Sequence, residues 1–138
     1  MKIKLKFFVI VLFCSNSFGQ NALNSDSLVN SSGAQNVRFA DSLSQVRELA
    51  KSDIANQKMF LLLSSGISPI VYSTDLRFEN DFKIKYLESG CTGPKEEFAI
   101  EYNNTIFNYL TDKYGTKWKK DVRKDVSGLK NYKFRKNK

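Results

Sequence analysis

Cys91 is the side chain in this sequence whose type and setting best suit nucleophilic chemistry. It lies in Ser89-Gly90-Cys91-Thr92-Gly93-Pro94, just ahead of a segment with helical spacing. The partial positive charge at a helix start favours a thiolate, and Gly90 and Gly93 would let a substrate approach the backbone. A thiol nucleophile also wants a base, and the chain contains no histidine. That absence excludes Ser-His-Asp and Cys-His mechanisms, His-containing zinc sites and a histidine pH switch. The only other cysteine is Cys14, within the first nineteen residues. Cys91 is therefore expected as a small side chain buried where a strand meets a helix. A Cys91-linked dimer is the next reading, and no catalytic residue is assigned beyond Cys91 as a candidate.

Two other patterns invite chemistry and are better explained by structure. Glu96, Glu97 and Glu101 cluster in one segment, but a hydrolytic pair needs carboxylates facing each other across a cleft. Acids at a helix start answer to the helix dipole, so a solvated face is expected. The glycines around Cys91 follow neither a Walker pattern nor a dinucleotide fingerprint, and Glu96 and Glu97 would repel an anion there. Asn103-Asn104-Thr105 matches the glycosylation pattern at Asn103, inside a predicted helix. No cofactor motif and no metal-ligand cluster is present, so none is expected of either.

The strongest chemical bias is charge. The chain of 138 residues carries a formal net charge of +8. From Gln20 to Thr116 there are nine basic and twelve acidic residues, a net of −3. From Lys117 to Lys138 there are ten basic residues against Asp121 and Asp125, a net of +8. Lys119, Lys120, Arg123 and Lys124 precede Lys130, Lys133, Arg135, Lys136 and Lys138, with Trp118, Tyr132 and Phe134 interleaved. Basic residues among aromatics suit a polyanion or an anionic surface. The expected partner is an anionic polymer or a membrane surface, and the expected contacts are Lys130, Lys133, Arg135, Lys136 and Lys138.

The first nineteen residues are an address. Lys2, Lys4 and Lys6 precede the apolar run Phe7 to Phe13, and Ser17 and Gly19 form a small-x-small exit. These are the three parts of a secretory signal peptide, and the run is too short to span a bilayer. Cleavage is expected before Gln20, with a secreted or periplasmic protein as product. A lipoprotein would keep Cys14 as its acylated first residue, but Phe13 stands where a small residue is required. The remaining 119 residues suit one domain of ordinary composition, with 41% hydrophobic and 26% charged residues in the whole chain.

The elements that must position these groups follow from periodicity. Residues 20–35 are Asn/Ser-rich without periodicity and read as a disordered polar leader. Phe39, Leu43, Val46, Ala50 and Ile54 make one helical stripe in Asn36 to Gln57, with Asn36 as cap. Met59 to Leu63 is a short apolar run, and Ile70, Val71 and Tyr72 are strand formers after Pro69. A helix from Thr74 or Asp75 to Lys83 would turn Leu76, Phe78 and Phe82 inward. Ile84 to Leu87 alternates as a strand does. Pro94 opens a helix running to Tyr114, where Gly115 stops it; Phe98, Tyr102, Ile106 and Tyr109 form its stripe, flanked by Ala99 and Leu110. A last helix from Thr116 to about Ser127 would align Trp118, Val122, Val126 and Leu129.

Strands alternating with helices predict an α/β fold, with α+β as the alternative: a small sheet of two to four strands with helices packed on it, in one domain. The expected divisions are a signal peptide 1–19, a disordered leader 20–35, a globular domain 36–128 and a basic tail 129–138. These features favour a small exported non-enzymatic binding or accessory module. The alternative is a thiol-dependent enzyme or redox protein using Cys91 at a helix N-terminus.

Overall fold

The computed structural model describes residues 25–64 and 70–133. The expected signal peptide lies outside the described residues. Helices α1 (Ser25–Asn30) and α2 (Gly33–Asn36) lead through a 3-10 turn, Val37–Phe39, to α3 (Leu43–Ala55). Strand β1 (Phe60–Leu62), helix α4 (Asp75–Phe82), strand β2 (Lys85–Leu87) and the long α5 (Glu96–Tyr114) follow. The expected α/β class is the observed one, a single domain with helices on a small sheet.

β1 is the centre of the molecule. Phe60, Leu61 and Leu62 are all buried, which explains why this stretch is uniformly apolar instead of alternating. β2 pairs with it in parallel, Leu61 opposite Tyr86. On the other edge Leu63 bridges Val126 antiparallel. There Ser64 N donates to Asp125 O at 2.8 Å, and Ser127 N to Leu62 O at 3.0 Å. α5 packs across β1 and against α3, burying Phe98, Ala99, Tyr102, Asn103, Ile106, Phe107 and Leu110.

Asn103 joins these layers. Its Oδ1 accepts from Leu62 N at 2.9 Å, while Nδ2 donates to Leu62 O at 2.8 Å and Ser127 O at 2.9 Å. The amide is fully buried and its donors are occupied, so the sequon at Asn103 is inaccessible in the folded chain.

Several sequence expectations are corrected. The leader is not disordered from Ser25 onward: it forms α1 and α2. Gly33 N and Ala34 N donate to the buried Asp53 carboxylate of α3 at 2.7 and 2.9 Å, and Tyr102 Oη donates to the same group at 2.6 Å. A carboxylate twenty residues away satisfies these amides, so no local pattern announced it. Gly33 is required here, because a Cβ would lie 2.6 Å from Leu49 O.

α3 begins at Leu43 rather than Asn36, capped by Ser42, whose Oγ accepts from Gln45 N at 3.2 Å. Phe39 is left exposed, while Val46 and Ala50 are buried as expected. Ile70, Val71 and Tyr72 form no strand, and Leu76 faces solvent. Past Tyr114 the last helix shrinks to a 3-10 turn, Lys117–Lys120, because residues 125–127 give their backbone groups to the edge of β1. Trp118, Val122 and Val126 are nevertheless buried. Finally the domain runs past 128: Leu129–Asn131 form a 3-10 turn, and the Tyr132 ring sits 4.9 Å from that of Phe107 and 6.0 Å from that of Trp118.

Candidate functional site

Cys91 is exposed, not buried. After β2 the chain leaves the sheet in the 3-10 turn Gly90–Thr92, with Gly90 at φ +55°. This conformation favours glycine and carries Cys91 outward. Phe98, Ala99 and Ile84 fill the space between helix and sheet instead. Cys91 lines a cleft of about 230 Å³ with Ser64, Ser89, Glu96 and Ser127. The cleft lies beyond the carboxyl ends of β1 and β2, where ligands bind in open parallel sheets. Ser64 Oγ and Ser127 Oγ are 3.0 Å apart. Glu96 and Glu97 occupy the first turn of α5 and offset the positive end of its dipole. Among the described residues no Lys or Arg lines this cleft, and the exposure of Cys91 leaves it within reach of an external thiol or reagent. Glu101 is not simply solvated, since it pairs with Arg47 of α3.

The basic segment falls into two parts. Arg123, counted in the sequence as a tail cation, is a buried clamp with its side chain 7% exposed. Its Nε and Nη2 fork onto Asp125 at 2.9 and 2.5 Å. Nη1 donates to Ile70 O at 2.7 Å and to Asp75 Oδ2 at 3.2 Å. The guanidinium sits between the Tyr72 and Tyr86 rings, 4.9 and 5.4 Å from their centroids. Arg123 N also donates to Tyr86 Oη at 3.2 Å. The bond to Arg123 holds the Asp125 carboxyl below its ordinary range. Burial pushes the Tyr86 phenol above its usual value, and burial together with the Asp53 charge does the same to Tyr102. No sequence signal separated Arg123 from its neighbours; its role depends on Asp75, 48 residues away.

The lysines are different. Lys117, Lys120, Lys124, Lys130 and Lys133 are exposed, and Lys119 lies 4.7 Å over the Tyr132 ring. None of these six is ion-paired among the described residues. The two acids of the segment are already engaged, Asp125 with Arg123 and Asp121 with Arg77 at 3.5 Å. Of the five expected contacts, Lys130 and Lys133 are therefore placed on the surface; Arg135, Lys136 and Lys138 lie outside the described residues. Lys124 and Lys130 line one depression with Glu96. Lys133 lines another with Arg47, Asn104, Asn108 and Tyr132.

Among the described residues no group of His, Cys, Asp or Glu is arranged to hold a metal ion, and no helix is long and apolar enough to cross a membrane. No protein-family model matches the chain, no curated protein matches it, and no solved structure matches it.

Proposed function

We propose that the protein is an exported, non-enzymatic module that binds an anionic partner through the basic surface from Lys117 onward. The observation that carries this reading is the charge imbalance of that surface: its acids are committed to Arg77 and Arg123, and among the described residues its lysines are in no ion pair. Unpaired lysines on a folded scaffold attract phosphates or sulfates, and binding releases condensed counterions.

The test uses the protein recovered after export, whose intact mass should correspond to a chain starting at Gln20. A start at Cys14 with added lipid mass would mark an anchored lipoprotein. Its affinity for a short DNA duplex, serving as a polyanion of known charge spacing, should fall steeply with salt and show no sequence preference. Lys130→Gln and Lys133→Gln should each reduce the salt slope by about 1. These exposed positions are cleaner than truncation before Tyr132, which packs on the core. Absence of binding at low salt overturns the reading.

The exposed cleft position of Cys91 favours a second reading, thiol-dependent or redox chemistry, and leaves a Cys91-linked dimer open to direct measurement. On the binding-module reading, Cys91 reacts with iodoacetamide at neutral pH at the rate of an ordinary exposed thiol. A rate about tenfold or more above free cysteine would mark an activated thiolate and favour the second reading. A reducible dimer on non-reducing electrophoresis, lost in Cys91→Ser, would show intermolecular pairing.

A further inference from the structure

Residues 70–76 present four large apolar side chains to solvent. Ile70 is 54% exposed, Val71 83%, Tyr72 49% and Leu76 67%. Scattered exposed apolar residues need no explanation, but four of them within residues 70–76 suggest an interaction surface. This group is held outward by a buried ionic clamp. Arg123 bonds Ile70 O and stacks on Tyr72; Asp75 Oδ2 accepts from Tyr72 N at 2.9 Å, and Asp75 N donates back to Tyr72 O at 3.0 Å. The same clamp brings the apolar turn against the basic segment. Tyr72 and Thr74 share a depression with Asp121, Arg123, Lys124 and Asp125. Arg77 pairs with Asp121 and Arg123 with Asp125, which leaves Lys124 as the cation of this depression in no ion pair among the described residues, and the exposed Lys120 directly precedes Asp121.

We propose that this turn is a membrane-surface anchor: Ile70, Val71, Tyr72 and Leu76 enter the headgroup–acyl boundary of an anionic bilayer while Lys120 and Lys124, which are in no ion pair among the described residues, meet its phosphates. The inference rests on the anionic-partner reading and narrows it to a lipid surface. Charge complementarity selects this occupant. A soluble polyanion would satisfy the lysines and leave the aliphatic tip in water. A second copy of the chain would cover the tip but oppose like-charged lysine rims. An anionic bilayer offers both an apolar layer and negative phosphates, the combination used by interfacial anchors, and Tyr72 has the amphipathic ring favoured at that depth.

The exported protein is to be sedimented with phosphatidylcholine vesicles with and without phosphatidylglycerol, beside the DNA-duplex measurement above. Binding should require the anionic lipid. The paired change Val71→Ser and Leu76→Ser should lower vesicle partitioning about tenfold or more, from the apolar area withdrawn, and leave duplex binding unchanged. Lys120→Gln and Lys124→Gln should each lower vesicle binding about fivefold, the equivalent of about 1 kcal/mol per basic residue near an anionic surface, and weaken duplex binding too. A positive readout comes from Val71→Trp. The native Trp118 is fully buried and is the only tryptophan, so an introduced indole should report insertion as a blue shift with vesicles and none with duplex. Wild-type partitioning by the paired variant, or an unshifted Val71→Trp, overturns the anchor and leaves the polyanion reading standing. Failure to bind both vesicles and duplex overturns both. Concentration-dependent self-association that Leu76→Ser abolishes assigns the turn to a second copy and overturns the anchor.

Discussion

Trp118→Ala should lower the unfolding free energy by ~3–5 kcal/mol. The indole is fully buried, stacked on Phe107 with ring centroids 5.1 Å apart, and donates through Nε1 to Thr111 Oγ1 at 3.2 Å. Truncation removes the apolar contacts, opens a cavity between α5 and the turn Lys117–Lys120, and leaves Tyr132 packed on one side only. A domain of this size has about 5–15 kcal/mol in total, so a large part of the stability goes. Trp118→Phe keeps most of the stacking and gives up the hydrogen bond, so it should cost clearly less. Denaturant melts of the three proteins check this; an unchanged midpoint for Trp118→Ala would contradict the buried placement.

Arg123→Ala should be about as damaging, for an electrostatic reason. Asp75 is buried, and its Oδ1 has no hydrogen-bond partner among the described residues. Its charge is tolerated because Arg123 stands beside Oδ2. Removing one member of a buried pair leaves an uncompensated charge and costs ~3–5 kcal/mol. Arg123→Lys should recover only part, since an ammonium cannot fork onto Asp125 or stack between two rings. Combining Arg123→Ala with Asp75→Asn should be milder than additivity implies, because the second change removes the stranded charge. The pair with Asp125 also sets a pH sign. Its folded carboxyl is lowered by Arg123, so its contribution is present above the unfolded value of about 3.9 and is lost as pH falls through the lowered folded value. Asp125→Asn should flatten that part of the acid limb. Equal melting of Arg123→Ala and wild type would show that the clamp carries no stability.

Local chemistry accounts for much of this molecule. Pro94, the acids at Glu96 and Glu97, the apolar stripe and Gly115 mark α5 in the sequence, and α5 is where they place it, starting two residues past Pro94. The inward side chains Phe78, Phe82, Val46 and Ala50 are legible for the same reason: helical periodicity is a local property. The alternation of strands and helices was enough for the fold class. The contrast between an acidic body and a basic end is a count, and it needs no structure.

Tertiary contacts decided the rest. Residues 25–35 lack any periodic signal and fold because Asp53 accepts from Gly33 N and Ala34 N. Residues 125–127 fall in a stretch with a helical pattern, yet they leave the helix because the open edge of β1 takes their backbone groups. Ile70 to Tyr72 have strand propensity but are held by Arg123 in a turn that exposes them. Cys91 stands in a sequence that suits a buried seam, yet a turn in the left-handed conformation at Gly90 carries it outward. Arg123 is one cation among ten from Lys117 onward by composition, and only the fold makes it the buried partner of two acids. In each case the deciding partner is distant in the chain. Sequence alone determined where hydrophobic periodicity and charge lie; the three-dimensional fold decided which polar groups are neutralised and which apolar groups stay in water, because burial and pairing depend on neighbours that only chain folding brings together.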